Sequence, residues 1–222
     1  MATLSAFFFF ISQHSMLAFP LWIIAGLALG AAVGALRKNG AWLGLGAVGF
    51  ILGFANIFLG SAVNAVFVHA NGTYGTAVIT QARETNSQLN DANIWEYDVV
   101  MKTADGRDVK TGFDTMSASL YPPRNAIEIP PAGERFVVKY IPGFEPNIAI
   151  LRDESAFGKR LLVQKALEPV ERAAAQVSAS PDNGEFRREY REAIETFLAQ
   201  HAEAAEPEAV AFYREELKRI GT

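Results

Sequence analysis

Two long stretches of this chain, Met16 to Leu36 and Ala41 to Val68, contain no formal charge, and this constrains the fold more than any other feature. A hydrocarbon core about 30 Å thick takes roughly 20 helical residues to cross, so each stretch is long enough to span it. The second is longer than needed and is expected to tilt or to continue as a helix beyond the lipid. Between them lies Arg37-Lys38-Asn39-Gly40, which holds the first two positive charges and the Asn-Gly pair of a tight turn. The pattern predicts a two-helix transmembrane hairpin over residues 16–69, with spans at 16–36 and 41–68.

Charge divides the remainder as sharply. Of 20 Lys and Arg residues only Arg37 and Lys38 precede Arg83, and all 24 Asp and Glu residues lie at Glu84 or later. Residues 1–82 therefore carry +2 and residues 83–222 carry −6, so an overall charge of −4 hides a membrane part joined to a solvated part. The chain has no cysteine, which excludes disulfides, thiol nucleophiles and thiolate zinc sites.

Met1 to Gln13 has no Lys or Arg, whereas a signal peptide starts with a positive region and has a shorter apolar core, so cleavage is not expected. Residues 1–15 are expected at the membrane interface or as an extension of the first helix, with His14 as an interfacial polar residue. The positive-inside rule assigns the Arg37-Lys38 turn to the cytoplasm and both termini to the other side of the cell (inner) membrane.

The helix faces carry packing signals. Gly26, Gly30 and Gly34 recur every four residues in the first span, a repeat that lets another backbone approach closely. In the second span Gly49, Gly53, Asn56, Gly60 and Asn64 are offset by 4, 3, 4 and 4, which at about 100° per residue keeps them in one stripe. Asn56 and Asn64 should point at protein or water, because facing lipid is unfavourable. In the simpler reading the two seams pack on each other within one chain. In the sharper one they join copies in a homo-oligomer or a partner subunit around a pore, with the asparagines facing its lumen.

From Thr73 to Leu151 the period becomes two. Thr76 to Thr80 is β-prone; Trp95, Tyr97, Val99 and Met101 alternate with other residues, as do Val109, Thr111 and Phe113, then Phe136, Val138 and Tyr140; Asn147 to Leu151 closes the region. Asp105-Gly106 marks a hairpin turn. Five or six short strands over residues 70–151 predict a small all-β barrel or sandwich. Glu84 to Asn93, polar and including Asn90, is expected as an exposed loop. Tyr121, Pro122 and Pro123, with Pro130 and Pro131, cannot form a central strand and are the candidate partner-binding loops.

The residues Gly75-Thr76-Ala77-Val78, the polar insertion, Tyr97-Asp98-Val99 before Asp105-Gly106, and Gly133-Glu134-Arg135-Phe136-Val137-Val138-Lys139-Tyr140 with Pro142, Pro146 and Ala149 carry a resemblance. Following a membrane span, residues 70–151 resemble the membrane-tethered small β-domain family known as domain of unknown function 3592. The resemblance implies a small β-domain held at a membrane and brings no catalytic residues with it.

Beyond Asp153 the period is 3.6. Leu161, Leu162, Val163, Ala166, Leu167 and Val170 mark one helix, with a kink or restart expected at Pro169. Phe186, Tyr190, Ile194, Phe197 and His201 mark a second, and Val210, Tyr213, Leu217 and Ile220 a third after Pro207. The last two should form an antiparallel hairpin that leans on the β-domain or another subunit, within a helical region 152–222.

Catalytic patterns do not emerge. His14, His69 and His201 fall in separate regions, and Ser117 and Ser119 lack a glycine elbow and a histidine in their own domain. Gly26, Gly30 and Gly34 lie in an apolar run without a following Lys-Ser or Lys-Thr, so they are no phosphate loop. An acidic soluble part argues against nucleic acid. The expected fold is a membrane α-helical hairpin followed by an α+β soluble part. The expected function is that of a non-enzymatic extracytoplasmic adaptor that needs no cofactor or metal and whose partners are the lipid bilayer and another protein. An oligomeric transport or channel component and a toxin-binding protective protein are the alternatives.

Overall fold

The computed structural model describes residues 1–89 and 91–220 and divides into two compact units, residues 1–155 and 156–222. The first unit begins with three helices, α1 (Ala2–Gln13), α2 (Ser15–Arg37) and α3 (Leu45–Asn71). α1 is a helix of its own, separated from α2 by a break at His14, where φ is −123° and ψ 48°. α2 ends on Lys38, which adopts the left-handed conformation and donates its N–H to the Gly34 carbonyl. Asn39 then accepts a hydrogen bond from the Ala41 N–H at 2.9 Å and opens a 3₁₀ turn, Gly40–Gly44, into α3. The basic turn is therefore where the sequence placed it, and α2 and α3 are long and apolar enough to cross a membrane. Both leave large apolar side chains uncovered: Ile24, Ile51, Phe54 and Phe58 are more than half exposed, unlike residues of a core helix in a soluble protein.

The glycine seams close on each other within the chain. A Cβ on Gly26 would stand 2.3 Å from the Leu45 carbonyl oxygen, one on Gly30 2.3 Å from that of Trp42, and one on Gly34 3.0 Å from that of Asn39. From the other helix, a Cβ on Gly49 would meet the Trp22 carbonyl oxygen at 2.2 Å and one on Gly53 would meet Phe19 at 2.9 Å. Backbone thus lies directly on backbone, which only glycine allows. Gly60 sits above this contact, beside the Asn56 side chain.

Six strands follow: β1 (Thr73–Leu89), β2 (Ala92–Lys102), β3 (Asp108–Asp114), β4 (Leu120–Tyr121), β5 (Arg135–Ile141) and β6 (Phe144–Leu151). They form one sheet in the order β3-β2-β1-β5-β6-β4, antiparallel except for the β4–β6 pair. Alternation sets the inner face, with Ala77, Ile79, Val99, Met101, Phe136, Val138 and Tyr140 buried. The sheet rolls far enough for Thr111 of β3 to donate to the Pro146 carbonyl of β6 at 2.6 Å, across three intervening strands. Among the described residues no ladder joins β3 to β6 or β4, and a second sheet is absent, so the expected barrel or sandwich is a single rolled, unclosed sheet.

Two expectations for this unit need correction. Glu84 to Asn93 is not a loop: β1 and β2 pair out to Leu89 and Ala92 as a long hairpin arm, with Asn90 outside the described residues. The arm is mostly polar and largely exposed, with Leu89 near its end lining a cleft beside Phe58 and Ile127. Thr85 donates to the Ile94 carbonyl at 2.8 Å, and Arg83 pairs with Asp98 at 3.1 Å. The boundary after residue 151 also moves, because Arg152 is wholly buried beneath the sheet's own loop. The Asp105-Gly106 turn is present, with Gly106 at φ +86°, and the Thr103 hydroxyl and the Arg107 guanidinium hold the Asp105 carboxyl down at about 2.

The second unit comprises α4 (Ala156–Ala179), α5 (Gly184–His201) and α6 (Pro207–Ile220). α4 runs through Pro169 as one helix, and its Val170 and Ala173 complete a core with Tyr190, Ile194 and Phe197 of α5. The expected two-helix hairpin is therefore a three-helix unit whose apolar stripe is covered from within. Asn183 caps α5, accepting from the Glu185 and Phe186 N–H groups.

Because Gly26 has backbone at 2.3 Å and Gly40 has nothing within 4 Å, Gly26→Leu should destabilise the detergent-solubilised protein by about 1–3 kcal/mol. Gly40→Ala should leave it within about 0.5 kcal/mol. Thermal unfolding followed by circular dichroism distinguishes the two.

Candidate functional site

The first unit is assembled around a buried polar junction where α1, α3 and the sheet meet. α1 stops at Gln13, so its last carbonyls lack intrahelical partners in a largely apolar setting. Asn56 of α3 supplies one, donating from Nδ2 to the Ile11 carbonyl at 2.7 Å. Two turns further along, the Asn64 and Asn147 amides form a reciprocal pair: Asn64 Nδ2 donates to Asn147 Oδ1 at 2.7 Å, and Asn147 Nδ2 donates to Asn64 Oδ1 at 2.9 Å. Asn64 also donates to the Ser119 hydroxyl at 2.8 Å, and Asn147 to the carbonyl and hydroxyl oxygens of Ser5, both at 3.1 Å. Ser5, Asn64 and Asn147 are no more than 1% exposed. At the rim, the Ser117 hydroxyl donates to Gln13 Oε1 at 3.0 Å.

The stripe Gly49, Gly53, Asn56, Gly60 and Asn64 does form one face, as its spacing implies, and all five residues are buried. Within the chain Asn56 and Asn64 bond to protein, Asn56 to α1 and Asn64 to Ser119 and β6. Ser5, Gln13, Ser119 and Asn147 were not foreseen. The only signal in the sequence is a polar residue interrupting an apolar helix or strand, and that does not reveal a partner up to 142 residues away.

The proline-bounded loop is anchored beneath. Tyr121 stacks on His69 with ring centroids 3.6 Å apart, and the Tyr121–Pro122 peptide is cis. The buried Arg152 guanidinium donates to the carbonyls of Pro122 and Ala126, the latter at 3.1 Å, and pairs with Glu128 at 3.0 Å. Burial lowers the Arg152 pKa more than Glu128 raises it. Arg124 and Asp153 make two further bonds, at 2.8 and 2.5 Å. Of the candidate loop residues, Pro130 is buried, Tyr121 and Pro122 are half-buried, and Pro123 and Pro131 are exposed. The apolar side chains left open around them are Ile127, with Leu89 and Trp95 on the β1–β2 arm.

Two open clefts flank the junction. One, about 270 Å³, is lined by Ser12, His14, Asn56, Ser61 and Ser117; the other, about 330 Å³, by Phe58, Ser61, Leu89, Arg124 and Ile127. In the second unit a groove of about 570 Å³ between α4 and α5 carries Arg172, Gln176, Glu189, Glu192 and His201. Among the described residues no group of three or more His, Asp or Glu side chains is arranged to hold a metal ion. The junction consists of neutral amides and hydroxyls that already satisfy one another, an arrangement suited to rigidity.

Removing one amide of the Asn64–Asn147 pair leaves the other buried and unpaired, at a cost of about 1–3 kcal/mol. Asn64→Leu and Asn147→Leu should each destabilise the first unit by that amount. The double variant should lose at least about 0.5 kcal/mol less than the sum, a coupling read from a double-mutant cycle by chemical denaturation.

Comparison with protein-family models, curated proteins and solved structures finds no match to this chain. The resemblance of residues 70–151 to the small β-domain family therefore rests on their short motifs alone, and function must be argued from this geometry.

Proposed function

We propose that the chain is an integral membrane protein in which α2 and α3 anchor a small β-domain, and that the β-domain and helical tail recruit another protein at the membrane without catalysing a reaction. The observation that carries this reading is the buried amide junction. It fixes the sheet to the end of an apolar helical hairpin while leaving the β1–β2 arm and residues Pro123, Ile127 and Pro131 open to a partner. The resemblance to a membrane-tethered β-domain family supports the same reading. The basic turn at Arg37 and Lys38 favours a cytoplasmic turn with the sheet on the opposite side.

Since the chain has no cysteine, a single Asp91→Cys substitution reports the side directly: the thiol should react with a membrane-impermeant maleimide in intact cells. Photo-crosslinkers placed at Trp95 and at Ile127 in native membranes should capture the same polypeptide, and one at the exposed Lys110 should not. Absence of an adduct from both positions would contradict the adaptor reading.

A further inference from the structure

The break at His14 opens an apolar groove between α1 and α2. It has a volume of about 320 Å³ and is walled by Phe7, Phe10 and Ile11 on one side and Leu21, Trp22 and Ala25 on the other. α2 has 23 residues and at ~1.5 Å each is about 34 Å long, enough to cross the hydrocarbon from the basic turn by itself. At the break α1 bends toward α2 and brings the Phe7 and Trp22 rings to 6.2 Å, while Leu4, Phe7 and Phe10 stay 51, 46 and 38% exposed. The groove is the apolar wedge left between the two helices.

We propose that this groove holds one acyl chain of a phospholipid from the leaflet next to the sheet, lying in the wedge between α1 and α2. The proposal rests on the membrane-anchor reading above. Leu21 and Ala25 of its lining are exposed, Leu21 to 50%, so an acyl chain enters from the hydrocarbon side of α2. No lining side chain is charged, and the single polar atom, Trp22 Nε1, is buried without a hydrogen-bond partner in the protein. An extended peptide would bring backbone N–H and C=O groups into a groove that cannot pair them. An acyl chain brings no polar group that needs a partner.

Native mass spectrometry of the full chain tests this after bulk lipid is removed by repeated detergent exchange from bilayers of phosphatidylethanolamine and phosphatidylglycerol. The wild type should keep one phospholipid per chain. Ala25→Phe fills the groove from its exposed end and should lower that retention at least tenfold, whereas Ile51→Phe on the outer face of α3 should not change it. A second measurement leaves the groove intact. In a Trp42→Phe, Trp95→Phe protein, chain-brominated phospholipid should quench Trp22, and the quenching should survive the exchange. Equal retention in Ala25→Phe and wild type, no lipid on either, a second copy or another polypeptide in its place, or full recovery of Trp22 fluorescence on washing would overturn the proposal. Failure of the protein to sediment with membranes would instead overturn the anchor reading beneath it.

Discussion

Polar groups removed from water must be paired, and in this chain that requirement is concentrated where α1, α3 and β6 meet. Ending α1 beside apolar neighbours exposes the Ile11 carbonyl, which Asn56 satisfies. Asn64 and Asn147 satisfy each other, and with Ser5 and Ser119 they tie four segments from distant parts of the sequence into one point. Each group depends on the others, because a single unpaired amide in so dry a place is unfavourable by more than a hydrogen bond gains in water. The sheet's position on the helices follows from that mutual dependence.

One face of α3 does two jobs along its length. Where it runs beside α2, glycines bring backbone onto backbone, and Gly49 touches the Trp22 carbonyl region directly. Beyond Gly53 the same face carries Asn56 and Asn64, which reach α1 and the sheet. Above them Ala65 and Val68 pack with Ile141 and Ala149. The helix is longer than a bilayer needs because its upper part is the axis on which the β-domain is built.

The parts of this fold visible in the sequence are those whose signal is local. The absence of charge located α2 and α3, the small-residue offsets located their seam, and alternation located the strand cores. The β1–β2 arm escaped because it is largely exposed, so no apolar alternation marks it and side-chain bonds such as Gln88 to Asn93 hold it instead. α4 was seen as a helix but not as part of a bundle, since its stripe of Val170 and Ala173 finds its partners only after a turn and a second helix. Of the junction, Asn56 and Asn64 stood out against an apolar background. Ser5 and Asn147 did not, because nothing near either of them specifies a contact so far along the chain.

The junction makes helices and sheet one body. Spin labels on cysteines introduced at Ile51, on the outer face of α3, and at Lys110, on β3, measure this by pulsed electron paramagnetic resonance in lipid nanodiscs. A single narrow distance distribution is expected, broadening when Asn64→Leu is introduced. A broad distribution in the otherwise unaltered protein would contradict the claim.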